Sequence, residues 1–259
     1  MSCQLSCNLY SYGAADDSVL SHLSALGLRL VEIGAPAPAD VSATRDRLAR
    51  FGLRAATVMG HCPVAEADVV ERFRPAAEAA VALGAGIVFV SVQAGETPLA
   101  LVYERLRAVG DLAAEHGLHV AMETHPDLCA NGAQMAQTMT AIDHSAVGIN
   151  FDTANISYYN QDADAIAELR QALPWVVSVH LKDTMGGFHE HNFPTLGQGI
   201  VDYPTLFELL GERGFVGPYT MELEGVAGEQ LNAAQRAQRV ADSVAYLRSR
   251  GLVPRWPEA

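Results

Sequence analysis

Short apolar runs recur along the chain, and each is followed by a longer stretch with apolar residues at helical spacing. The runs are CQLSCNLY, LRLVEIG, RAATVMG, GIVFVSV, HVAMET, VGINFDT, VVSVHLKD and YTMELEG. Helical spacing predicts helices near 16–26, 41–51, 66–83, 98–116, 132–142, 162–173, 203–213 and 228–250. Gly27, Gly52, Gly84, Gly117 and Gly214 each follow an alanine- or leucine-rich stretch, where a left-handed residue closes a helix. Eight alternating pairs in 259 residues predict a (β/α)₈ TIM barrel, a single α/β domain over 1–259. An open doubly wound sheet would carry a Gly-rich phosphate turn after its first strand, and none follows CQLSCNLY. The one GxG, Gly197 and Gly199 in TLGQG, falls in a late loop and is a poor dinucleotide fingerprint.

A barrel of this kind gathers its chemistry where the carboxyl ends of the strands converge. The polar residues at those ends are Glu32, His61, Gln93, Glu123 with His125, Asp152, His180 with Lys182 and Asp183, and Glu222 with Glu224. So many carboxylates and imidazoles around one axis would repel and desolvate one another without a cation. Glu123, Asp152, His180 and Glu222 form the best quartet, because each sits late in its run and the intervals of 29, 28 and 42 residues each match one βα unit. Three carboxylates and one imidazole make a hard site suited to a divalent metal ion. Mn²⁺ is the first expectation, with Mg²⁺, Co²⁺ or Zn²⁺ as alternatives. A purely structural reading has Asp152 and His180 capping helices or pairing with each other.

Composition removes several partners. The formal net charge is -13 with 17 Lys+Arg, and the basic residues are scattered among acids, so no field grips a phosphate backbone. MSCQLSCNLY lacks the features of a secretory signal and no long apolar span occurs, so the expectation is a soluble cytoplasmic protein with no membrane and no nucleic acid partner. Cys3, Cys7, Cys62 and Cys129 form no CxxC pair and are expected as reduced, apolar residues.

METH, NFDTAN, VHLKD, LGQGIVDY and GFVGPYTMELEG occur in an order and spacing that resemble the xylose isomerase-like TIM barrel superfamily. The resemblance runs along nearly the whole chain, in the branch of sugar phosphate isomerases and epimerases with ketose 3-epimerases, hydroxypyruvate isomerase and inosose-processing enzymes. It implies that Glu123, Asp152, His180 and Glu222 are metal ligands, and that Glu123 and Glu222 also act as acid and base on opposite faces of a sugar or keto-sugar. Between Glu222 and Glu224 only the family pattern chooses the first as ligand; Glu224 is left as its supporting partner or the ligand itself. The expected reaction is isomerisation or epimerisation through an enediolate, since a divalent ion chelating a carbonyl and the adjacent hydroxyl acidifies the proton between them.

Other positions leave alternatives open. His125 faces the same cavity if its strand continues, and can be a general base or a substrate contact. A related group that eliminates the aglycone from 3-oxo-glycosides is similar in carrying a histidine after the glutamate ligand, which makes a lyase the second reading and brings a companion subunit with it. Glu32, His61 and Gln93 are substrate-binding or structural; Lys182 meets substrate or forms an outward salt bridge; Asp183 meets substrate hydroxyls or braces the ligands, or else caps a helix or pairs with a lysine. Gly186 to Gly199 has no helical pattern and suggests a cover over the site. Within it His189, Glu190 and His191 are expected in solvent. Phe188, Phe193, Tyr158 and Tyr159 either stack on a sugar or pack in the core or an interface. An apurinic-site endonuclease would need more histidines and a basic rim, and a non-catalytic barrel would lack a ligand. Homo-oligomers are common in the resembled group.

Overall fold

The computed structural model describes residues 4–13 and 15–253. Cys3, the first residue of the CQLSCNLY run, lies outside them. Eight parallel strands close into a barrel: β1 (Gln4–Asn8), β2 (Leu30–Gly34), β3 (Arg54–Met59), β4 (Ile87–Val90), β5 (His119–Glu123), β6 (Val147–Asp152), β7 (Val176–Leu181) and, after the two-residue β8 (Asn192–Phe193), β9 (Pro218–Met221). Closure comes from β9, which pairs with β7 on one side and β1 on the other, with Val179 opposite Tyr219 and Leu5 opposite Tyr219.

The helices follow the expected order: α1 (Asp17–Ala25), α2 (Val41–Arg50), α3 (Val69–Leu83), α4 (Leu99–Glu115), α5 (Gly132–Ile142), α7 (Ala165–Ala172), α8 (Tyr203–Glu212) and α9 (Ala233–Ser249). Local chemistry explains their ends. The Asn131 side chain accepts the Gln134 N–H at the start of α5, and Asn232 and Gln235 form a reciprocal capping box at the start of α9. All five helix-closing glycines have positive φ, between 66° and 78°. In α3, Val69, Phe73, Ala76, Ala77, Ala80 and Leu83 are buried, a stripe one face wide that packs on the sheet.

Three features depart from expectation. A short helix, α6 (Asn155–Tyr159), precedes α7 in the loop after β6, before the one helix expected over 162–173. The runs ending in VHLKD and MELEG stop as strands at Leu181 and Met221, so Lys182, Asp183, Glu222 and Glu224 stand on the rim beyond the last ladder pairs. Finally, β8 pairs antiparallel with β10 (Gly225–Val226), with Phe193 opposite Gly225. The ribbon was not foreseen; it sets His191 and Phe193 of the 186–199 segment, expected as a cover, against the cavity at the barrel mouth.

Candidate metal centre and its cavity

Four neighbouring strands deliver the quartet. Glu123 and Asp152 are the last residues of β5 and β6, His180 is the penultimate residue of β7, and Glu222 follows β9. One ligand atom from each lies within 4.8 Å of all the others. Asp152 and His180 are direct neighbours across the β6–β7 ladder. Below them the barrel is filled by small polar groups, with Ser178 Oγ donating to Asn150 Oδ1 at 2.6 Å.

Each ligand is held by protein hydrogen bonds and turns a donor atom toward the centre. His180 is fully buried, and its Nε2 stands 3.0 Å from Glu32 Oε1. Glu32 in turn accepts Asn8 Nδ2 at 2.9 Å and Thr57 Oγ1 at 2.6 Å. This network assigns the proton to Nε2 and leaves the Nδ1 lone pair unused. Nδ1 makes no hydrogen bond although buried, and faces Glu222 Oε2 at 3.4 Å, Glu123 Oε1 at 3.7 Å and Asp152 Oδ2 at 3.8 Å. Asp152 Oδ1 accepts the N–H groups of Ala154 and Asn155, both at 2.9 Å, at the start of α6, while Oδ2 turns inward. Glu222 Oε1 accepts Asn8 Nδ2 at 3.3 Å and Glu123 Oε1 accepts Asn155 Nδ2 at 3.4 Å. An inward-facing imidazole nitrogen beside three inward-facing carboxylate oxygens is the donor set of a hard divalent cation, and these residues fit one.

Without an ion these buried groups set one another's charge. Burial pushes the Glu123 carboxyl up from the ordinary value. Burial opposes charge on Glu222 as well, yet Lys182 and His180 outweigh it and hold that carboxyl well below the carboxylate range. For His180, burial disfavours the cation, but Glu32 and Glu222 overcome this and raise its pKa well above 6.5.

The expected neighbours divide. His125 joins the site: it lines a cavity of about 270 Å³ beside Glu123, with Nδ1 3.7 Å from Glu123 Oε2 and 2.6 Å from Ser91 Oγ. Lys182 points inward rather than outward, held by acceptors from β6, α6 and the segment after β9. Its Nζ is 2.6 Å from Glu222 Oε2, 2.9 Å from Asp152 Oδ2, 3.4 Å from Glu224 Oε2 and 3.2 Å from Asn155 Oδ1. Glu224 lines the cavity, more exposed than Glu222, and stands outside the four-residue cluster.

Glu32 is 1% exposed, and both its carboxylate oxygens are engaged by Asn8, Thr57 and His180, which places it beneath His180 and off the cavity lining. His61 and Gln93 are exposed on the loops after β3 and β4 and do not line the cavity. Alternation explains Gln93: Val92 and Ala94 on either side are buried, which turns Gln93 outward. His61 is likewise carried off the axis after β3 ends at Met59.

Asp183 neither caps a helix nor meets a lysine. Its Oδ2 accepts the N–H groups of Gly197 at 2.7 Å and Gly199 at 2.9 Å, and its Oδ1 those of Thr184 at 3.0 Å and Val201 at 3.2 Å. The GxG turn is therefore an anion cradle filled by the chain's own carboxylate. A Cβ on Gly199 would fall 2.2 Å from Asp183 Oδ1, which is why glycine stands there.

Tyr158, Tyr159 and Phe193 wall the cavity instead of joining the core. His125 meets Tyr159 edge-on at 5.2 Å, and Tyr158 meets Tyr159 at 4.9 Å. Phe188 is exposed and stacks on His189 at 4.0 Å. His189, Glu190 and His191 are exposed as expected, although His191 also borders the cavity. Sequence reasoning missed Asn8 and Asn155, both ordinary polar residues by pattern, although NFDTAN already placed Asn155 beside a ligand.

A closed parallel barrel whose mouth holds three carboxylates and an imidazole defines an α/β-barrel protein with a metal-competent centre. Residues 20–250 match the family described as xylose isomerase-like TIM barrel, and the chain belongs to that family. Over 103 residues it is 36% identical to L-ribulose-5-phosphate 3-epimerase UlaE of Salmonella paratyphi B (strain ATCC BAA-1250 / SPB7), a match covering 39% of this chain and 34% of that protein. The chain thus matches about a third of the length of such curated relatives. Among solved structures it is similar to D-allulose 3-epimerase from Methylomonas sp. (TM-score 0.77, 17% identity, covering 96% of this chain and 98% of that one). It is also similar to 3-keto-D-glucoside 4-epimerase from E. coli (TM-score 0.75, 17% identity, 95% and 99% covered). At these identities the structural likeness concerns the fold. No helix among the described residues is long and apolar enough to cross a membrane.

Proposed function

We propose that the protein is a divalent-metal-dependent sugar isomerase or epimerase. The observation that carries this reading is His180 Nδ1, buried, without a hydrogen bond and ringed by carboxylate oxygens of Glu222, Glu123 and Asp152, while Glu32 holds the opposite nitrogen. Glu123, Asp152, His180 and Glu222 would hold the ion, Mn²⁺ first on the hardness of the donors. The bound ion would supply the positive charge that stabilises an enediolate once a proton leaves the carbon beside a carbonyl. Glu123 and Glu222 are the groups that take and return the proton, one on each face of the sugar. Asn155 and Lys182 brace their carboxylates, and the Tyr158, Tyr159 and Phe193 wall keeps bulk water off the reacting carbons.

The substrate reading is an unphosphorylated sugar. Among the described residues no arginine lines the cavity, and Lys182 is already engaged by three carboxylates. At about 270 Å³ the space lies just below the range of drug-sized pockets, which suits a monosaccharide. The position of His125 beside Glu123 favours, as a second reading, a lyase that uses this imidazole as base on 3-oxo-glycosides. Metal analysis followed by incubation with free ketoses, ketose phosphates and 3-oxo-glucosides in D₂O tests both. Deuterium incorporated into an epimer or isomer, abolished by chelator, is the expected result. Release of an aglycone selects the lyase, and turnover that survives complete removal of metal refutes the proposal.

A further inference from the structure

Lys182 is the feature of the centre that a metal site does not need. Its ammonium is almost fully buried and stands against Asp152 Oδ2 and Glu222 Oε2, the inward oxygens of two ligands, at 2.9 and 2.6 Å. A cation in the quartet draws on the same oxygens. On its other side the ammonium meets Glu224 Oε2 at 3.4 Å and Asn155 Oδ1 at 3.2 Å, and it lies 5.1 Å from the centre of the Phe193 ring. Glu224 is not in the ligand cluster, and its side chain is 42% exposed.

We infer that Lys182 is a built-in counter-ion that competes with the divalent ion for Asp152 and Glu222, and that Glu224 is its alternative partner when the ion is bound. This rests on the proposed metal site but concerns its affinity, not the reaction. Like charges at this range, in a buried setting, repel more strongly than an outer hydrogen bond steadies a ligand, so competition outweighs any bracing that Lys182 gives. Without the ion, the same ammonium neutralises carboxylates that would otherwise be buried together uncompensated. Glu224 draws the ammonium away from the ligands and so favours metal binding.

The test is Mn²⁺ titration of the metal-stripped full chain by isothermal calorimetry, with thermal melting of the stripped and loaded forms. Lys182→Met is expected to bind Mn²⁺ at least tenfold more tightly than wild type, to melt lower when stripped, and to gain more from Mn²⁺. Glu224→Gln is expected to bind several-fold more weakly, and this second variant keeps the test open if Lys182→Met fails to fold. In the double variant, Glu224→Gln should add no loss to Lys182→Met, because Glu224 acts through the lysine. Weaker or unchanged Mn²⁺ binding by Lys182→Met overturns the inference, as does a full Glu224→Gln deficit in the double variant, which would make Glu224 a ligand itself. If wild type binds Mn²⁺ but turns over no sugar, the functional proposal falls and this one is still decided by the variants; if wild type binds no divalent ion, both fall.

Discussion

Replacing Glu32 by glutamine isolates the charge beneath His180. The amide is nearly the same size, and its carbonyl can keep the Asn8 and His180 bonds now made at 2.9 and 3.0 Å. Its NH₂ then faces Thr57 Oγ1, now a donor at 2.6 Å, which can accept instead. What the variant loses is the negative charge that makes the imidazole a better donor at Nδ1. Loss of such an outer partner costs metal affinity by about 10–100-fold, or roughly 1.4–2.8 kcal/mol. The same charge also raises the His180 pKa, so the proton competes less with metal in the variant. The deficit should therefore be largest at alkaline pH and shrink as pH falls. Calorimetric Mn²⁺ titration of both proteins at about pH 6 and 8.5 measures it. Wild-type affinity at the higher pH, or a deficit that grows on acidification, would refute the account of Glu32 as the group that tunes His180.

Three further outcomes are expected. In metal-stripped protein the raised His180 pKa contributes stability that is fully present below the ordinary value of 6.5 and is lost as pH rises through the folded value; melting should fall with rising pH while Mn²⁺ affinity climbs, and a flat melting profile would contradict this. Asp183→Asn puts an NH₂ against two of the four N–H groups that the carboxylate now accepts, at a cost on the order of 2–4 kcal/mol, visible as a lower Tm and faster proteolysis within 186–199; an unchanged Tm would count against the cradle. Burial pushes the Cys7 and Cys62 thiols up to about 12 and raises that of Cys129, so in a Cys3→Ser variant Ellman's reagent should react with none of the three until denaturant is added.

The barrel was legible because β-runs and helical stretches alternate with glycines at the joints, and each of the eight expected helices lies within a few residues of its place, the short α6 being the addition. The quartet was legible for a related reason: the last residue of a barrel strand has only one place to converge, so Glu123 and Asp152 could be set beside His180 and Glu222 without coordinates. Lys182 was not, since a residue past the final ladder pair is free to turn either way and only the ring of acceptors around it decides. Nor was Glu32, whose position on its strand is that of a substrate contact; its role depends on Asn8, Thr57 and His180 arriving from three other strands. Strands of two residues, like β8 and β10, are too short to show any period.

That small ribbon ties the mouth of the barrel to its centre. Val226 and Gly225 clasp Asn192 and Phe193 only a few residues beyond Glu222, so the ceiling of the cavity hangs from the same stretch of chain that supplies a ligand. The loop between Met185 and His191 can lengthen or change its side chains without disturbing that attachment. Substitutions confined to this overhang reshape the opening of the cavity while the four inward donors stay where they are.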